Sequence, residues 1–577
     1  MPTLLSEAEG NIRGGGGGES PRNLAQSETL SMRGHSLRGN REIPETPVGD
    51  GTAGRSGKGT NHTPDVYVCG KSDGRIVPKK QLNKGGGVVT PAEAAEGRRP
   101  AKGNVQRTAA TRTQSRSVAS NGLLRVREAA RGDKRMRFTA LLHHVTVDLL
   151  SESFFALKRE ASPGIDGVTW EQYKEGLEER LRALHERVHW GTYRAKPSRR
   201  VYIPKADGKM RPLGVAALED KIVQRAVATV LNAIFEEDFL GFSYGFRPGR
   251  SQHQALDALY VGLLGKKVNW VLDADIRGFF DTIDHGWMVK FLEHRIADRR
   301  ILRLIRKWLK AGVSEGGKWS KTSVGTPQGA VISPLLANVF LHYVLDLWTH
   351  RWRKERASGD VVIIRYADDF VMGFQYYGEA KRFLKELQAR IGTFGLALHP
   401  DKTRLIEFGR FAAENRQKRG EGKPETFDFL GFTHICGTKR SNGGFTVKRR
   451  TMVERMRARL KAVKVELMRH RHEPIATIGA WLGRVVKGYF NYHAVPGNSI
   501  PLNSFRREIQ RLWYRSLRRR SQRNRMTWKR FGPIANAWIP PVRILHPYPN
   551  ERFYAKYPKQ EPYAGMLHVR ICAGGAG

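Results

Sequence analysis

The chain has 577 residues, of which 100 are Lys or Arg and 55 are Asp or Glu, giving a formal net charge of +45. A field of that size is far more than solubility requires and fits a protein that lies along a polyanion, phosphate backbones being the commonest. Hydrophobic residues at 40%, with 12 Trp and 25 Phe, indicate a packed core, while Cys69, Cys436 and Cys572, far apart and without a CxxC, exclude disulfide scaffolding and a cysteine-ligated zinc module.

Residues 1 to 125 read as a disordered, Gly-rich basic tail. The first 100 residues hold 19 Gly and no Phe or Trp, and the first Phe is Phe138, so little apolar surface offsets the entropy of ordering. The polar start, with Glu7 and Glu9, lacks a signal-peptide pattern. Order is expected from about Arg137. Apolar spacing predicts helices over Phe138 to Leu157 and Glu171 to Val188, joined by the turn-rich loop Ser162 to Trp170. Arg199 to Lys205 and Met210 to Val215 read as two strands of a hairpin turning at Ala206 to Lys209, with Lys205 and Arg211 on its two arms. A helix over Leu218 to Phe235 and an aromatic, Gly-containing loop at Gly241 to Gly249 follow.

Val268 to Ile276 alternates as a strand, and its period of two puts Asp273 and Asp275 on one face with Val271. Phe279, Phe280 and Asp281 come directly after, near a helix start. Ile301 to Leu309 is a basic amphipathic helix, and Val324 to Gly329 is a turn that brings Gln328 to a pocket edge. The apolar span Gly329 to Trp348 is interrupted by Ser333, Pro334, Asn338, His342 and Asp346, so it predicts a buried helix starting near Pro334 rather than a membrane span. Val361 to Phe374 reads as a tight hairpin with Asp368 and Asp369 at its tip, where a cation rather than packing would keep two adjacent carboxylates. Beyond it come a helix over Glu379 to Phe394, the His399 to Thr403 segment and an apolar strand at Thr426 to His434.

Composition then changes. Thr446 to Arg530 carries 23 Lys and Arg against 4 Glu and no Asp, has helical spacing at Met452 to Met468, Ile478 to Tyr489 and Phe505 to Leu517, and interleaves Trp481, Tyr489, Phe490, Tyr492, Trp513, Tyr514 and Trp528 with its bases. Cations for phosphate and aromatics for core or base stacking make this a helical nucleic-acid-binding segment. Pro540 to Pro549 closes it, and a short basic tail is expected from about Glu551.

Taken in order, Ile203 to Leu213, Tyr244 to Pro248, Asp275-Ile-Arg-Gly-Phe-Phe-Asp281, Gly325 to Leu335, Tyr366-Ala-Asp-Asp369, Leu398 to Lys402, Phe429 to Gly431 and Gly488 to Tyr492 resemble the reverse transcriptases encoded by group II introns, over roughly residues 130 to 550. The resemblance implies an α+β right-hand polymerase, with fingers and an antiparallel-sheet palm over 126–445, a helical thumb and maturase domain over 446–549 and a basic tail over 550–577. It implies that Asp275, Asp368 and Asp369 hold two Mg²⁺ ions, that Lys205 and Arg211 contact the incoming dNTP, that Gln328 borders the nucleotide pocket, and that Phe280 packs under the deoxyribose to exclude a 2′-hydroxyl. Lys402 would support the active-site strands or phosphates.

The partners so implied are intron RNA in a ribonucleoprotein, a DNA target and primer, and dNTPs, with no membrane and with a bacterial cytoplasmic setting as the default. Oligomeric state, the role of Asp273 and the identity of the RNA stay open. Many family members end in a His-Asn-His nuclease, which the residues after Pro549 do not resemble, so priming from an existing nick, fork strand or RNP-cleaved target is expected. Three alternatives stay open at this stage: a retron-like or diversity-generating reverse transcriptase, an RNA-binding splicing factor without polymerase activity, and a metal-dependent glycosyltransferase using Asp273-Ala-Asp275.

Overall fold

The structure is a computed structural model that describes residues 121–204, 210–326, 328–523 and 525–556. Most of the expected 1–125 tail, Lys205 with the expected turn at Ala206 to Lys209, and the last 21 residues lie outside the described residues. A helix at 121–132 precedes the predicted onset of order. In chain order the strands are β1 (Ser198–Pro204), β2 (Met210–Val215), β3 (Trp270–Asp275), β4 (Val313–Glu315), β5 (Lys318–Ser320), β6 (Val361–Tyr366), β7 (Asp369–Phe374), β8 (Arg404–Glu407), β9 (Phe427–Phe429), β10 (Phe432–Thr438) and β11 (Phe445–Thr451). They form three sheets ordered β2-β1-β4-β5, β6-β7-β3-β8 and β11-β10-β9, so the architecture is mixed α and β.

The sheet β6-β7-β3-β8 is antiparallel throughout and is buried on both faces. On one face Leu272, Ala274, Ile363, Phe370 and Met372 join the main core with residues of the Leu218–Asp238 and Ser333–Leu341 helices. On the other, Val271, Ile364, Val371 and Ile406 join a second core with the Gln252–Gly265 helix and the β9 to β11 sheet. Each fully buried aliphatic or aromatic side chain contributes about 1.5–3 kcal/mol, so the register of this sheet is strongly determined. The polar ends of its strands are thereby placed as accurately as its core.

Several predicted elements differ in detail. The helix expected over Phe138 to Leu157 is instead a short 3₁₀ turn at Leu142–His144 and an α-helix at Val147–Phe155, because Phe138 bridges to Ile296 and the Asp298 carboxylate accepts the Leu141 and Leu142 amides at 2.8 and 3.0 Å. The helix expected over Glu171 to Val188 breaks at Gly176, whose φ of +67° turns the chain between Trp170–Lys174 and Leu177–His189. The Thr426 to His434 strand divides into β9 and β10 about Leu430 and Gly431, both at positive φ. The apolar span after Gly329 does begin a helix at Ser333, with Pro334 in its first turn, and runs through a wide π-turn at His342–Asp346 into a helix at Leu347–Glu355. Among the described residues no helix is long and apolar enough to cross a membrane.

The basic segment forms helices at Val453–Arg469, Ile475–His493, Ser499–Arg518 and Trp528–Trp538 around a third core. Most of its aromatics serve that core: Phe490 and Trp513 are buried, while Trp528 stacks on Tyr514 at 4.1 Å and stays half exposed. Where a tail was expected from Glu551, a helix at Pro549–Lys556 packs on Gln252–Gly265.

Candidate active site

Asp275 closes β3 and Asp369 opens β7, and the two are direct cross-strand partners. Opposed residues of an antiparallel pair project to the same face. That face is the one carrying Val271, Asp273 and Val371, where the second core gives out at the strand ends. Tyr366 pairs with Asp369, so the turn consists of Ala367 and Asp368, one residue earlier than the expected Asp368 and Asp369 tip, and Asp369 is the first residue of β7. Ala367 adopts φ +58°, a left-handed value that costs a residue with a Cβ of order 1 kcal/mol. The turn is held there by its surroundings, since a Cβ on Gly245 would fall on the Ala367 amide.

Three cations or carboxylates tune this edge. Lys402 Nζ lies 2.9 Å from Asp275 Oδ2, and the His399 amide donates to the Asp275 carbonyl at 2.8 Å, so the segment before β8 is fastened to the end of β3. Asp275 is only 6% exposed, which strengthens its hold on a cation. Burial and then the Asp369 carboxylate push the Asp273 carboxyl up to about 7, against the pull of Arg404 at 3.7 Å. Among the described residues no three carboxylate, imidazole or thiol side chains converge tightly enough to hold a metal ion as they stand.

A second turn approaches the first. Phe280 and Asp281 follow β3 on a one-turn helix, and the Gly325 and Thr326 amides donate to the Ile283 and Phe280 carbonyls, each at 2.8 Å. His285 Nε2 meets the Gly325 carbonyl at 2.6 Å. Gln328 Nε2 lies 3.4 Å from Asp281 Oδ2, and its carbonyl accepts the Gly214 amide of β2 at 2.6 Å. Phe280, Gln328 and the strand bearing Arg211 are thus tied together; Arg211 itself pairs with Ile203 across β1 and β2. Lys205 lies outside the described residues.

Sequence reasoning gave Lys402 only a loose supporting role and overlooked the Asp281 link to Gln328. It also missed the side chains buried behind the turn. Arg365, one residue before the Tyr366 to Asp369 stretch, is fully buried against Asn338 and Asp346. The available signal was the set of polar interruptions in the span after Gly329, which served only to argue against a membrane helix.

A family model described as reverse transcriptase (RNA-dependent DNA polymerase) matches residues 203–434. The chain is similar to protein YkfC of Escherichia coli strain K12, with 35% identity over 332 residues, covering 50% of this chain and 87% of that protein. It is 39% identical over 222 residues to the group II intron-encoded protein LtrA of Lactococcus lactis subsp. cremoris, covering 38% of this chain and 36% of LtrA, so it spans about a third of that relative. An uncharacterized 91 kDa protein in the cob intron of Schizosaccharomyces pombe is 31% identical over 260 residues, 36% of this chain and 32% of its own length.

Proposed function

Because the chain belongs to the reverse-transcriptase family and carries a domain of its group II intron-encoded type, we propose that it is an RNA-directed DNA polymerase of a mobile group II intron that also binds the intron RNA and assists its splicing. The observation that carries this reading is the opposition of Asp275 and Asp369 across β3 and β7, with Asp368 in the adjoining turn.

Asp275, Asp368 and Asp369 are the proposed ligands of two Mg²⁺ ions. The donor set is oxygen only, which suits magnesium, and it already draws a cation, the Lys402 ammonium at Asp275 Oδ2. When bound, the ions supply Lewis-acid activation of a primer 3′-hydroxyl and neutralise charge on the departing pyrophosphate. Phe280 bounds the sugar and leaves no room for a 2′-hydroxyl. Gln328 borders the base and sugar pocket, and Arg211 and Lys205 meet the triphosphate. The finer architecture belongs to the same proposal: fingers and palm over 126–445, thumb and maturase surface over 446–549, with RNA, the primed DNA target and dNTPs as partners.

The test is primer extension on an RNA template with dNTPs and Mg²⁺, comparing the parent with Asp368→Ala. Template-dependent cDNA from the parent and a loss of at least about 10³-fold in the variant are expected, since removing a ligand removes transition-state charge stabilisation. A folded, RNA-free parent that makes no cDNA yet binds intron RNA would replace the polymerase reading with that of a splicing factor.

A further inference from the structure

A fully buried cation lies behind the Asp368 turn. Arg365 and Asp346 are both 0% exposed. A guanidinium has five N–H donors in a rigid fork, and all five of Arg365's are used. Nε donates to Asp346 Oδ1 at 2.7 Å, and Nη2 donates to Asp346 Oδ2 and to Ser243 Oγ, each at 2.6 Å. Nη1 donates to Asn338 Oδ1 at 3.1 Å and to the Ala367 carbonyl at 2.9 Å. That last acceptor is the residue in left-handed conformation at the turn. Asn338 in turn donates to the Gly245 carbonyl at 2.7 Å, the residue whose missing Cβ lets the Phe242 to Gly245 loop close over the Ala367 amide. The same loop is paired with Arg365 through its backbone, by Arg365 N to Phe242 O and Tyr244 N to Arg365 O, both 2.9 Å.

The π-turn explains how one helix reaches this point twice. Eight residues of regular α-helix, at about 100° each, would leave Asn338 and Asp346 about 80° apart around the axis. The wide turn at His342–Asp346 lowers the angle advanced per residue and brings both side chains to Arg365. An extra residue in a helix is a costly feature to retain for packing alone.

We propose that Arg365 is a positioning residue for the polymerase site, fixing the Ala367 carbonyl so that the strained turn presents Asp368 and Asp369 opposite Asp275, with Asp346, Asn338 and Ser243 as its buried frame. The proposal rests on the polymerase reading. It differs from a merely structural ion pair in one respect: a variant that keeps the fold but loses the donor to Ala367 must lose rate.

The test uses the full-length protein and three forms: the parent, Arg365→Lys, and the charge-free pair Arg365→Met with Asp346→Leu. Apolar replacement of a whole buried ion pair is commonly neutral for stability, so the paired variant is expected to melt within about 5 °C of the parent. Template-primer affinity should stay within about twofold, while kcat falls about 10²-fold, the scale of a 1 Å misplacement at a reacting centre. Mn²⁺ binding, read by electron paramagnetic resonance on the protein without nucleic acid, should weaken in parallel. Arg365→Lys keeps the charge but cannot fill a five-acceptor fork, and it is expected to show the same split between affinity and rate. A folded paired variant with parental kcat and Mn²⁺ binding would overturn the proposal. Should the pair fail to fold, a folded Arg365→Lys with parental kcat would do so. A parent that makes no cDNA would instead overturn the polymerase reading, leaving Mn²⁺ binding to judge the turn.

Discussion

Phe280 is half-buried, set five residues beyond Asp275, its ring 5.5 Å from that of Phe279 and its carbonyl tied to Thr326. On the proposed reading the ring excludes by volume, not by a hydrogen bond, and steric exclusion of a hydroxyl-sized group is worth about 10–200-fold. Phe280→Val is therefore expected to raise rNTP incorporation relative to dNTP by about 10–100-fold while leaving dNTP incorporation within a few-fold, as read by single-nucleotide extension with each. Unchanged discrimination would remove Phe280 from the pocket wall. The placement of Asp275 at a strand end, Phe280 at a helix start and Asp368 in a tight turn was legible because the pattern is local: a strand of period two followed by an aromatic pair, and two apolar runs about a short polar centre. The Asp275 partner of Lys402, 127 residues away, and the partners of Arg365 at Asp346, Asn338 and Ser243, which lie 19, 27 and 122 residues away, were not. No window of neighbouring residues carries that information.

Among the elements, the helix Ile475–His493 offers two glycines with opposite expectations. A Cβ added at Gly479 would lie 2.5 Å from Trp538 Cγ, at the near edge of the indole where it cannot swing aside. At Gly488 nothing lies within 4 Å. Gly488→Ala should raise stability by about 0.5–1 kcal/mol through helix propensity alone, whereas Gly479→Ala should lower it by about 1–2 kcal/mol once overpacking of about 1–3 kcal/mol outweighs the same gain. Thermal melting of the two variants checks the signs, and a stabilised Gly479→Ala would mean that Trp538 does not seat on this helix. Amphipathic spacing located this helix, the strands β6 and β7 and the basic bundle to within a few residues. It failed where a distant group intervened: Asp298 draws the Leu141 and Leu142 amides out of the helix predicted there, and the Gly176 break gives no signal in apolar spacing. The C-terminal helix Pro549–Lys556 was missed for the same reason, since its short apolar face has meaning only against Gln252–Gly265.

Across the whole molecule, buried titratable groups set how the fold responds to acid. Asp257 is buried on the Gln252–Gly265 helix and binds both Arg449, at 3.1 Å, and Arg552, joining three segments far apart in sequence. His253, one helical turn before it, faces His546, Arg552 and Arg449; burial first and then these charges hold its imidazole down at about 2. Burial likewise holds His342, His434 and His493 at about 3. In the unfolded chain each returns to about 6.5, so between pH 6.5 and 3 the unfolded state binds protons that the native state refuses, and acidification favours unfolding. Asp220, Asp238 and Asp273 act in the opposite sense: burial raises them to about 6, 6 and 7, so the native state keeps protons that the unfolded chain releases above about pH 4. Burial also holds His350 at about 4, so near pH 5 five histidines oppose three aspartates, a net of about two protons or about 2.7 kcal/mol of stability lost per pH unit. The melting temperature at pH 5 should therefore lie below that at pH 7 at constant ionic strength, and a higher value at pH 5 would show that the aspartates dominate. His434 isolates the cause, because its ring lies flat on Phe427, centroids 4.7 Å apart and 5° from parallel, in a site that a phenyl ring can occupy. His434→Phe removes one proton from the unfolded side of the balance, so its melting temperature should change less between pH 7 and 5 than the parent's; an equal or larger fall would mean that His434 keeps its proton in the native core.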